Sequence, residues 1–430
     1  MRIAFVSQPR DAIAATGAQR GSVAIVTWEL ARRLADRHDV TIHAPLAPGQ
    51  AREERGPENV LVRRTRRAYR RFHKAVDLGT GLLGMRPPYF STPMFFREYA
   101  KAVANALAEE SPDVVHIQIC AQFIPAIRRA VPKARIVFHT HDELLTRLDK
   151  ATMERRLAGA DAVVTCSDYV TQRWRARFPK RAADIHTIGN GVDLERFHPA
   201  DSDESSAVEP SMLYVGRVSP EKGVHILAQA FERILARVPG ARLAVIGSAG
   251  LLPFNQISLL EDDSHVASLR TFYGRGLLDR VRKQAIKAST SYLDAIRACV
   301  SPATLSRIRF HGSLEYMDLP ALYRSARLLV APSLCAEPFG LPLAEAMASG
   351  LPVVASRAGG MQGIVEEGRT GRLVERGDVQ GLADASVALL TNEPMLVGMR
   401  RASREAAEAR FGWHTAAGRL ENIYQRLSGP

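Results

Sequence analysis

Two glutamates, Glu337 and Glu345, stand eight positions apart in the stretch AEPFGLPLAEAMASGLPVVAS, with Pro338, Gly340 and Pro342 between them. Paired carboxylates can exchange protons as acid and base or can grip hydroxyl groups, and the intervening residues decide which. Prolines and a glycine at this spacing forbid a continuous helix, so Glu337 is expected in a loop, while a helix opens at Pro342 with Glu345 in its first turns and ends by Gly350. The carboxylates then have different addresses. Amides of Gly340 and Leu341 fall at the positive end of that helix. A loop carboxylate beside such amides suits sugar hydroxyls, and one a turn into the helix suits the two hydroxyls of a ribose, as acidic residues do in dinucleotide folds. The plainer alternative is that Glu345 offsets the helix dipole and Glu337 is solvated.

A second group, GRVSPEKG from Gly216 to Gly223, places Arg217 at a strand end and Lys222 in the following loop, with glycines that admit close backbone approach. Two cations beside the N-terminus of the next helix fit a diphosphate. Taken alone, the same octapeptide also fits ordinary solvated cations. The chain has no GxxxxGK[ST], CxxC, HExxH or GxSxG pattern, and its one DxD, Asp201 to Asp203, lies in an acidic Ser-rich run that reads as solvated. The charge of a bound diphosphate would thus fall to Arg217, Lys222 and a helix end, without a metal ion.

The elements that must position these residues follow from hydrophobic rhythm. Short apolar runs, RIAFVS, DVTIHA, DVVHIQI, ARIVFHT and DAVVTCS, alternate with amphipathic stretches such as IVTWELARRLADR and REYAKAVANALAEE. That rhythm predicts βαβ units on a parallel sheet. It breaks at RFHPADSDESSAVEP and restarts with SMLYVGR, ARLAVIG, RIRFHG, ARLLVAPS, LPVVAS and GRLVERG. With 430 residues, 46% hydrophobic and 24% charged, the chain has material for two cores. The expected organisation is an α/β protein of two Rossmann-like doubly wound parallel-sheet domains that face each other across a cleft. Residues 1–198 form the first domain, 199–210 a linker and 211–408 the second, with an insertion at about 248–306. The last segment, 409–430, is an amphipathic helix expected to pack back on the first domain. Cys120, Cys166, Cys299 and Cys335 lie far apart and read as buried reduced thiols. The N-terminal apolar run is too brief for a signal peptide and no run reaches spanning length, so a cytoplasmic location is expected.

GRVSPEKG, together with HGSLEYMDLPALYRSARLLVAPSLCAEPFGLPLAEAMASGLPVVASRAGGMQGIVEEGRTGRLVERGD, resembles the second domain of GT-B glycosyltransferases of family 4. ADAVVTCSDYV and IGNGVDLERFHP resemble that family's segments at the end of the first domain, and Glu337 with Glu345 matches its E-x7-E signature. The resemblance implies that Glu337 and amides of the Phe339, Gly340 and Leu341 turn hold the donor sugar, that Glu345 holds the nucleotide ribose, and that Arg217 and Lys222 hold the diphosphate. It also implies a histidine near the anomeric centre. VFHTHDELL offers His139 and His141; His141, next to Asp142 at the strand end, is favoured, and His139 is read as a core imidazole on the opposite face of the sheet. Where the family shows Gly-Gly before the first helix, this chain has Gly21-Ser22, with Gly17 a further candidate; Ser22 can cap the helix while amides approach phosphate or acceptor. The inserted segment exceeds the family's usual connection, which makes room for an acceptor or homo-oligomer contact.

The implied activity is retaining, metal-independent transfer of a sugar from a nucleotide-diphosphate sugar, such as a UDP- or GDP-sugar, to an unidentified hydroxyl acceptor: a small molecule, a natural product or a lipid-linked glycan. No cofactor is implied. A nucleotide-sugar epimerase of the same fold and a basic nucleic-acid or membrane-binding protein are the alternatives. The net charge of +13 leaves the partner open, but no nucleic-acid recognition module is visible. RRTRRAYRRFHK, Arg63 to Lys74, carries seven cations in twelve residues and no acid. As a helix it would set Arg63, Arg67, Arg70 and Lys74 on one face, suited to an anionic membrane, a phosphate-bearing acceptor or plain water.

Overall fold

The computed structural model describes residues 1–429 apart from 17–18, 20, 67–69, 201–210, 261 and 274–287. The chain divides into two compact units, Met1–Gly191 with Trp413–Pro430, and Val192–Gly412. The switch at 191/192 falls earlier than the expected boundary at 198, because the segment after it is tied into the second unit. There the Arg404 guanidinium donates to the carbonyls of Leu194, Phe197 and Ala348. The return falls at 412/413 rather than 408. Most of the expected linker, 201–210, lies outside the described residues.

The first unit holds an eight-stranded sheet in the order β3-β4-β2-β1-β5-β6-β7-β8. Its strands are β1 (Arg2–Val6), β2 (Asp39–Pro45), β3 (Glu53–Arg55), β4 (Leu61–Thr65), β5 (Val114–Gln118), β6 (Arg135–Thr140), β7 (Ala162–Thr165) and β8 (Ile185–Thr187). All neighbours pair in parallel except β3 with β4. Central β5 is buried at every position, as a strand covered by helices on both faces must be. Helix Trp413–Ser428 packs on helix Ser22–Leu34 and places Trp413, Leu420 and Tyr424 in the core of this unit.

The second unit holds six parallel strands in the order β11-β10-β9-β12-β13-β14. They are β9 (Ser211–Val215), β10 (Arg242–Ile246), β11 (Ile308–Gly312), β12 (Leu328–Ala331), β13 (Val353–Ser356) and β14 (Gly371–Val374). Order reverses between β9 and β12, so the loops after these two strands emerge side by side at a topological switch point. Between β10 and β11 the inserted segment contains the helices Phe254–Ile257, Ser264–Ser268, Arg270–Tyr273, Ala288–Ala298 and Pro302–Leu305 among its described residues.

The basic stretch is not one helix. Arg63 and Arg64 lie on β4, where Arg63 bonds Glu110 and Glu53 and buried Arg64 bonds Glu54. Only the helix Arg70–Leu82 follows, and Arg67 and Tyr69 lie outside the described residues. Val62 and Arg64 share the buried face and Arg63 lies on the other, so a strand's two-residue period is present beneath the charge.

Candidate active site

In the second unit, β9 runs into a loop carrying Arg217, Glu221 and Lys222, and β12 runs into a loop carrying Ser333 and Glu337. Gly223 brings them together. Its φ is 71° and a Cβ there would stand 2.0 Å from the Pro332 carbonyl oxygen, an approach only glycine allows. Across this join Lys222 Nζ donates to both carboxylate oxygens of Glu337 at 2.6 Å, and Ser333 Oγ donates to Oε1 at 2.6 Å. Burial alone would lower the Lys222 ammonium; the adjoining Glu337 carboxylate reverses that and holds it above the usual lysine value. Glu337 is therefore not a solvated carboxylate. Its backbone pairs with the loop after β13, where Gly360 N–H donates to the Glu337 carbonyl at 2.6 Å.

Gly340 is the N-cap of helix Leu341–Ala348, with φ 111°, and Pro342 sits in the first turn, so the helix begins one residue before the expected Pro342. Phe339 turns its ring into the interior against Phe411, which leaves its backbone for any ligand contact. Glu345 is buried, and Tyr323 OH donates to its Oε2 at 2.8 Å. Burial raises the Glu345 carboxyl to about 7, against the pull of the Tyr323 and Tyr316 hydroxyls. A carboxylate that only offset a helix dipole would be exposed and ordinary. Arg217 reaches Glu221 Oε1 at 3.4 Å, while Ser219 Oγ donates to the same oxygen at 2.6 Å. Ser333, Glu221 and Tyr323 were not singled out from sequence. Glu221 was in view inside GRVSPEKG; Ser333 and Tyr323 carry no local pattern and are recruited by the chain's return.

In the first unit, Gly21 is the N-cap of helix Ser22–Leu34, with φ 94°, and no side chain caps the helix. Ser22 is the first helical residue, so the capping role expected of it is not realised. Gly17 lies outside the described residues. His141 follows β6, and its Nε2 pairs with Gln118 Oε1 at 2.7 Å. His139 does not turn to the opposite face. Residues two apart on a strand share a face, and the His139 and His141 ring centroids lie 4.0 Å apart with the planes tilted by 32°. His139 is the core imidazole expected, bonded through Nδ1 to His116 Nε2 at 3.1 Å, with Tyr424 OH on His116 Nδ1 at 2.6 Å. Burial lowers the His141 imidazole to about 3, so it is neutral near pH 7. Beside Gln118, Ile119 holds φ 58°, a conformation β-branched residues avoid.

Among the described residues, no group of three or more His, Cys, Asp or Glu side chains is arranged to hold a metal ion. Nor is any helix among them long and apolar enough to cross a membrane. The thiols of Cys120 and Cys166 are pushed up to about 12 by burial, and all four cysteines are unbridged.

Two family models match the chain: one described as Glycosyltransferase Family 4 over residues 23–196, and one described as Glycosyl transferases group 1 over residues 280–392. Spore coat protein SA of Bacillus subtilis is 26% identical over 343 residues, 76% of this chain and 82% of that protein. Glycogen synthase of Mycobacterium tuberculosis is 29% identical over 325 residues, 73% of this chain and 68% of that protein. Among solved structures, Anabaena HepE in complex with UDP-glucose shares the fold at a TM-score of 0.67, with 19% identity and 98% of each chain covered. Two parallel-sheet α/β domains with these neighbours define a glycosyltransferase of the GT-B class. The chain belongs to the GT-B glycosyltransferases of family 4.

Proposed function

We propose that the protein transfers a sugar, with retention and without a metal ion or cofactor, from a nucleotide-diphosphate sugar to a hydroxyl acceptor. The observation that carries this reading is the Lys222–Glu337 pair. A diphosphate-binding cation and a sugar-binding carboxylate stand 2.6 Å apart at the join of the β9 and β12 loops, so one ligand with a phosphate next to a sugar meets both. Buried Glu345, at the second carboxylate of the signature, takes the ribose hydroxyls. Arg217 and Lys222 receive the charge that develops on the departing diphosphate, the work a metal ion does in other enzymes. In the first unit, His141 is neutral and can offer a hydrogen bond without adding charge. UDP-glucose is the first donor to try, because HepE was solved with it; GDP-sugars follow.

The test is a panel of nucleotide sugars assayed for diphosphate release and for the anomeric configuration of the product. Release with retention is expected. Epimerised nucleotide sugar without release would establish the epimerase alternative instead.

A specific observation favours an acceptor presented at an anionic lipid surface. Of eight large hydrophobic side chains exposed among the described residues, five fall between Phe72 and Met94: Phe72, Leu78, Leu83, Met85 and Met94. Arg71, Lys74, Arg86 and Arg97 are exposed in the same stretch. Apolar side chains interleaved with cations fit an anionic bilayer interface. Cosedimentation with phosphatidylglycerol vesicles, but not with phosphatidylcholine vesicles, is expected; equal behaviour with both would remove the membrane from the account.

A further inference from the structure

The inserted segment between β10 and β11 is docked on the donor loops of its own unit. Ile257, Val266, Leu269 and Tyr273 form an apolar cluster with Leu334 and Cys335 of the loop after β12. Asp263 pairs with Arg376, whose guanidinium also donates to the Leu334 carbonyl at 3.1 Å. Amides of Leu334 and Cys335 in turn donate to the Glu221 carbonyl at 2.9 and 3.2 Å. None of residues 197–279, which include this half of the insertion, falls within the ranges the family models match.

At the centre is Glu221, only 1% exposed and flanked by the cations assigned to the diphosphate. A carboxylate so placed is a competitor for those cations. Its Oε1 accepts from Ser219 Oγ at 2.6 Å, and its Oε2 accepts from Tyr273 OH at 2.9 Å. Arg217 Nη1 approaches Oε1 only to 3.4 Å, at the limit of a hydrogen bond. Two neutral hydroxyls thus satisfy most of the carboxylate, and the nearby arginine stays weakly engaged. Without the Tyr273 hydroxyl, Oε2 would be a buried acceptor lacking a partner, which is costly, and Arg217, already 3.4 Å from Oε1, is a donor that can relieve it.

We propose that Tyr273 is a positioning residue for the donor: by satisfying Glu221 it keeps Arg217 available to the diphosphate, so the inserted segment is a working part of the donor site. This rests on the donor reading above. Burial holds the Tyr273 hydroxyl protonated, well above the usual tyrosine range, so it remains a donor at any working pH.

The test uses the full chain, with Tyr273→Phe, Glu221→Gln and the double variant, each checked by thermal melting. ADP, GDP and UDP are titrated calorimetrically into the wild type, and the tightest is carried to the variants. Tyr273→Phe is expected to weaken binding about tenfold, the scale of one lost charge-assisted contact, and to raise the donor KM rather than lower kcat. In the double variant the charge that captures Arg217 is gone, so affinity returns to that of Glu221→Gln alone. A merely structural tyrosine gives no such rescue. Tyr273→Phe binding like the wild type, or a double variant as weak as Tyr273→Phe, overturns the proposal while leaving the donor reading intact. A wild type that binds none of the three nucleotides overturns both.

Discussion

Lys222 and Glu337, 115 positions apart in the chain, form one ion pair in which the ammonium bridges both carboxylate oxygens at 2.6 Å. The pair joins the loop assigned to the diphosphate with the loop assigned to the sugar, and it fixes their separation before any ligand arrives. Removing one member leaves the other charge partly buried without its partner. Lys222→Met is therefore expected to destabilise the protein by about 2 kcal/mol, less than for a fully buried pair because the lysine is partly exposed, and to abolish transfer. Lys222→Met with Glu337→Gln should recover most of the stability and none of the activity. Thermal melting and diphosphate release, read side by side, check both halves.

Glu345 titrates where cells work. Its carboxyl is raised by burial to about 7 in the folded protein, against about 4.5 in water. A raised carboxyl means the folded state holds the proton more tightly than the unfolded state, so this group lowers stability as pH rises from about 4.5 through about 7. Relative to Glu345→Gln, the wild type should lose up to ~3 kcal/mol between pH 5 and pH 8, measured by denaturant unfolding at each pH. Nucleoside diphosphate affinity should move the other way, rising through about pH 7 as the carboxylate ionises to accept the ribose hydroxyls. Titration of the phosphate itself is common to both proteins, so the difference from Glu345→Gln isolates the carboxyl.

His141 is neutral over the whole working range, its imidazole lowered by burial to about 3. His141→Ala is expected to reduce kcat by roughly a hundredfold, the scale of one lost hydrogen-bonding group at a reacting centre, with little change in nucleotide affinity. Because the group does not titrate, the pH profile of the residual rate between pH 5 and 9 should keep the wild-type shape. An ionisation that disappears with His141 would mean the imidazole is charged during turnover.

Gly223 sets the approach of the two donor loops. A Cβ at this position would stand 2.0 Å from the Pro332 oxygen at a φ of 71°. Gly223→Ala is expected to cost more than about 2 kcal/mol, from strain and displaced backbone together, and to raise the donor KM as Lys222 moves away from Glu337. Steady-state kinetics with thermal melting check this.

The sheet of the second unit was legible strand by strand, because each strand is a short run with apolar residues and a glycine or proline at one end or both. In the first unit β4 was hidden under arginines whose pairing with Glu110, Glu53 and Glu54 is set by the fold. Short β8 offered too few apolar residues to stand out. Glu337 and Glu345 were legible as separate addresses, since prolines and a glycine between them decide local backbone. That Glu337 is clasped by Lys222 and Ser333, and Glu345 by Tyr323, was not legible, because those partners arrive from other loops and helices. The two histidines show the same limit in miniature: the strand period places His139 and His141 on one face, and the choice between them turns on depth, which sequence spacing does not record.

The most direct measurement follows radiolabelled sugar in a single turnover, comparing the wild type with Glu337→Gln at saturating nucleotide sugar. If Glu337 holds the donor sugar, label leaves the nucleotide in the wild type and stays on it in the variant, while the variant still binds the nucleoside diphosphate. Transfer by Glu337→Gln at the wild-type rate would contradict the account.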